Sequence, residues 1–90
     1  MNFPVFDLHC DTALALLGRE FRGAGKLKTN DFQIDLDRAA TLPGYAQCFA
    51  CFTSTWEKLP EGITVTDVFE REIGVILREI QENASLIRQA

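Results

Sequence analysis

Two periods of hydrophobic and polar positions alternate along this chain. Residues 3–10, Phe-Pro-Val-Phe-Asp-Leu-His-Cys, are mostly apolar after a proline and predict a short strand. Residues 12–20 are rich in helix formers and predict a helix with Thr12 as N-cap. Residues 21–31 carry Gly23, Gly25, Asn30 and Asp31 and predict a loop. Residues 33–41 predict a short helix or turn, closed by the turn pair Pro43-Gly44. Residues 45–53 are apolar at both alternating positions, which predicts a strand buried on both faces, as in parallel sheets covered by helices. Beyond Pro60-Glu61-Gly62, residues Val65, Phe69, Ile73, Ile76, Leu77 and Ile80 recur every three to four positions. They predict a long helix ending near Glu82-Asn83, capped by Thr64 or Thr66, with Asp67 and Glu70 in its first turn. Residues 85–90 predict the start of another extended segment.

Alternating β and α elements with doubly buried strands point to a parallel α/β architecture. Two strands do not make a stable parallel sheet, so residues 1–90 are expected to be the N-terminal part of one larger domain. The composition agrees with a globular protein: 47% of residues are hydrophobic and 24% charged. The net charge of −4 argues against nucleic acid or an anionic membrane as partner. No signal peptide and no transmembrane run are expected, because Asp7 interrupts the first apolar stretch. The odd number of cysteines, Cys10, Cys48 and Cys51, sits in apolar segments. That pattern suits buried free thiols in a reducing, cytoplasmic setting better than a disulfide framework.

The candidate chemistry lies at the first strand. Asp7, His9 and Asp11 are spaced by two, which on a regular strand puts all three on one face. An imidazole nitrogen from His9 and a carboxylate oxygen from Asp11 are ordinary zinc ligands. Asp7 would lie deeper and orient a ligand by hydrogen bonding rather than touch the ion. A solvated polar strand face is the simpler alternative, since His-x-Asp alone is a weak pattern. A buried Asp-His-Asp row, however, needs a partner charge.

The stretch Phe6-Asp7-Leu8-His9-Cys10-Asp11-Thr12 resembles the Asp-x-His-x-Asp opening of the membrane (renal-type) dipeptidase family, zinc peptidases of the amidohydrolase-like group. Ile34-Asp35-Leu36-Asp37-Arg38, followed by Gly44-Tyr45-Ala46-Gln47-Cys48-Phe49, is similar to that family's next segment, where an aspartate-leucine turn leads into an Ala-Gln-aromatic strand. The long helix after it also matches. The resemblance implies a (β/α)8 barrel with two zinc ions that activate a water and polarise the carbonyl of a dipeptide substrate. It implies His9 and Asp11 as ligands to one of the ions, and it brings the expectation of a homodimer, common in the family. The family's bridging glutamate, further histidines and catalytic aspartate lie on later strands and have no counterpart in residues 1–90. The chain is therefore expected to need the remainder of the same barrel, and to be inactive as a dipeptidase by itself. A barrel of this kind takes about 250 residues. Other readings remain open: another binuclear amidohydrolase, or a non-catalytic α/β interaction domain in which His9 and Asp11 are structural.

The Cys48-x-x-Cys51 pair is expected to pack in the core, because a strand sends residues three apart to opposite faces. Trp56, after the second strand, is a candidate to line a dipeptide pocket. Arg22, among Arg19, Lys26 and Lys28 around Gly23-Ala24-Gly25, is a candidate to attract a substrate carboxylate at the site's mouth. Replacing Arg22 by alanine in the intact enzyme is expected to raise KM for dipeptides. An unchanged KM would dismiss that role.

Overall fold

A computed structural model describes residues 2–17, 25–53, 59 and 61–90 of the chain. Strand β1 (Val5–Cys10) pairs in parallel with β2 (Tyr45–Phe49), forming a two-stranded sheet. Helices α1 (Thr12–Leu17) and α2 (Leu36–Ala39) lie between them in sequence, and α3 (Val65–Glu82) follows. Parallel strands cannot be joined by a tight hairpin, so the connecting segment must cross over. The architecture is a small α/β fold of two parallel strands and, among the described residues, three helices.

The register is regular at first, with Val5 opposite Tyr45, Phe6 opposite Ala46 and Asp7 opposite Gln47. The next matched pair is Cys10 with Phe49, and the register shifts between Asp7 and Cys10. β1 thus carries one residue more than β2 over this interval, as at a β-bulge, and strict alternation of its faces ends there. Hydrogen bonds extend the pairing beyond both ends: Val5 N–H donates to the Gly44 carbonyl at 2.9 Å and Ala50 N–H to the Cys10 carbonyl at 3.0 Å.

The return path to β2 is held by two side chains. Asn30 donates through Nδ2 to the carbonyls of Lys26 and Ile34, both at 2.9 Å, and accepts through Oδ1 from Phe32 N–H at 2.8 Å. The Cα atoms here pass so close that a Cβ on Gly25 would fall 2.6 Å from the Asn30 Cβ, so only glycine suits that position. Buried Asp35 caps α2 by accepting from Arg38 N–H at 2.8 Å, and it also accepts from Asn30 N–H at 3.1 Å. Its Oδ2 lies 3.0 Å from Arg38 Nε. Burial alone would raise the Asp35 pKa. The backbone donors of Arg38 and Asn30 and the Arg38 guanidinium outweigh it and hold the carboxyl below the ordinary aspartate value.

Helix α3 begins at a capping box: Thr64 Oγ1 accepts from Asp67 N–H at 3.1 Å and Asp67 accepts from Thr64 N–H at 2.8 Å. α3 packs against α1. Ala13, Leu16, Leu27, Leu36 and Ile76 form the buried core, with Phe32, Phe49, Cys51, Val75, Ile80 and Ile87 packed around it.

Several expected features take a different form. The helix over 65–82 and both strands are present, but residues 85–90 form no strand. Neither strand is buried on both faces: Phe6 and Leu8 are 65% and 71% exposed, and β2 alternates between half-buried and exposed. The apolar stripe of α3 is likewise only partly buried. Ile76 is in the core, whereas Val65, Phe69 and Leu77 are exposed. The helix is rotated so that Glu72 and Glu79 join Ile76 on its buried side. Ile73, Ile76, Leu77 and Ile80 of the stripe, with Tyr45 and Phe49, line a groove of about 940 Å³ beside β2. All three cysteines are free; Cys10 is buried and Cys51 half-buried, but Cys48 is exposed on the open sheet face. Among the described residues no helix is long and apolar enough to cross a membrane.

Leu16 is 1% exposed at the centre of the core. Leu16→Ala is expected to destabilise the protein by about 2–4 kcal/mol, because the deleted methyl groups leave a cavity that helix packing fills only in part. A shift in the urea midpoint reads this directly; a change below about 0.5 kcal/mol would mean that α1 does not anchor the core.

Candidate metal centre

The C-terminal end of β1 runs without a loop into α1: Cys10 ends the strand and the Asp11 carbonyl accepts from Ala15 N–H at 3.0 Å, opening the helix. This places Asp11, rather than Thr12, at the helix start. It also brings the Asp11 side chain back towards His9, with His9 Nε2 3.2 Å from Asp11 Oδ1. Both side chains are largely exposed, at 65% and 56%. A neutral imidazole with its proton on Nε2 donates to the carboxylate, and a protonated one forms an ion pair with it.

Asp7 does not join this pair. Its Oδ1 accepts from the His9 backbone N–H at 3.2 Å. It is tied on its other side to β2, where Gln47 Nε2 donates to the Asp7 carbonyl at 3.4 Å. The Tyr45 hydroxyl donates to Gln47 Oε1. Burial first, and then the charges of Cys10 and Asp7, push the Tyr45 pKa up to about 12, so Tyr45 is a neutral hydrogen-bond donor at physiological pH.

His9 and Asp11 supply one nitrogen and one oxygen donor converging on the same point, a chemistry that suits zinc. Among the described residues no group of three or more histidine, cysteine, aspartate or glutamate side chains is placed to hold a metal ion. Two donors are fewer than the four that a structural zinc site takes. Trp56 and Arg22 lie outside the described residues. Of the basic residues near Arg22, Lys28 pairs with Asp37 of α2 at 2.9 Å, and Leu27 N–H donates to Glu79 near the end of α3 at 3.4 Å. That part of the loop is thus tied to α3 about two turns beyond Glu72.

Glu72 is the feature that sequence reasoning missed. Its side chain is 0% exposed, and neither carboxyl oxygen has a hydrogen-bond partner among the described residues. Burial, and after it the negative charge of Asp11, push its pKa up to about 7. Burial, and after it the charge of Glu72, also raise the Cys51 thiol pKa. The available signal was position: Glu72 is four residues before Ile76 and seven before Glu79, so one helix face carries all three.

No family model, curated protein or solved structure matches this chain.

The folded pKa of Glu72 is raised, so the native state holds its proton more tightly than the unfolded chain does. Stability from this group is therefore complete below the unfolded value near 4.5 and is lost as pH rises through about 7. Glu72→Gln keeps the shape and removes the charge. It is expected to stabilise the protein at pH 8 by on the order of 1–3 kcal/mol and to change little at pH 4.5. Urea midpoints at the two pH values check this; equal midpoints for both proteins at pH 8 would show that the carboxyl is solvated or paired.

Proposed function

We propose that this chain supplies the first β/α units of a zinc-dependent dipeptidase barrel, with His9 and Asp11 as the metal ligands from its first strand. The observation that supports this reading is the 3.2 Å approach of His9 Nε2 to Asp11 Oδ1 at the C-terminal end of a strand in a parallel sheet. In (β/α)8 barrels that end of the strands carries the active site. The resemblance of residues 6–12 and 34–49 to the renal-type dipeptidases supplies the substrate class.

Within this reading each residue has a separate task. His9 and Asp11 hold one zinc, which when bound supplies Lewis acidity towards a dipeptide carbonyl. Asp7, bonded to the His9 backbone N–H, fixes the local path of the strand and hence the imidazole's position. The remaining ligands, the second zinc and the catalytic groups belong to the rest of the barrel. The groove beside β2 and the exposed Phe6 and Leu8 are the surfaces that the rest would cover.

The test is dipeptide hydrolysis by the complete protein, with and without a chelator. His9→Ala and Asp11→Asn are each expected to lower kcat/KM by at least about 100-fold and to reduce bound zinc. Hydrolysis of cyclic amides in place of dipeptides would point to another amidohydrolase. Dipeptidase activity that survives both substitutions and the chelator would contradict the assignment of these ligands.

A further inference from the structure

We draw no further inference here: the strongest candidate, the fully buried Glu72 carboxyl between α1 and α3, lacks a hydrogen-bond partner among the described residues, but it belongs with Asp11 to the site already described and rests on the titration of a single acid beside a proposed metal ligand.

Discussion

Because β1 and β2 run parallel, everything between Cys10 and Tyr45 has to travel back along the sheet before the second strand can start. Most of the described structure answers that constraint. α1 leaves the end of β1, the segment around Asn30 and Asp35 folds the chain back, and α2 delivers it to the start of β2. The hydrogen bonds from Val5 to Gly44 and from Ala50 to Cys10 show both strands entering and leaving the sheet at the same edges. His9 and Asp11 consequently sit at one end of the sheet, beside the residues that follow β2. The pairing thus determines where any chemistry borne by the first strand can take place.

The packing of α3 adds an electrostatic cost to this arrangement. A helix with an apolar stripe would ordinarily bury that stripe, yet Glu72 is turned inward and Phe69 outward. An uncompensated buried carboxylate is expensive, so the helix face is tolerated with Glu72 holding its proton up to a pH of about 7. Glu79, on the same face, is in a different position: its Oε2 accepts from the Leu27 N–H. One buried acid therefore ties the loop to the helix, while the other lies under the negative charge of Asp11. A cation at His9 and Asp11 would oppose the charge that now raises the Glu72 pKa.

Local patterns in the sequence carried much of the fold. The 3–4 spacing from Val65 to Ile80 and a capping threonine located α3, because capping and periodicity are properties of neighbouring residues; of the two candidates, Thr64 and Thr66, it is Thr64 that caps it, in a box with Asp67. Residues 3–10 and 45–53 located both strands, although Pro4 and the segment after Phe49 fall outside them. What could not be read was burial. The apolar character of Phe6 and Leu8 said that these side chains favour an interior, whereas their exposure depends on which elements lie over the sheet. The site was legible in part for the same reason. Adjacency in sequence brought His9 to Asp11, whereas the Asp7 carboxylate accepts from the His9 backbone N–H. Glu72 reaches the neighbourhood of Asp11 only through the packing of α3 on α1, a long-range contact without a short-range signal.

The central claim is that His9 and Asp11 ligate zinc as part of a larger barrel. Zinc quantification on the purified protein, combined with intact-mass analysis of every polypeptide present, tests it most directly. The account predicts close to two zinc ions per completed barrel, with this chain's share lost on replacing His9 by alanine. A folded species containing this chain that binds no zinc would contradict it, and would leave the non-catalytic α/β interaction domain as the better description.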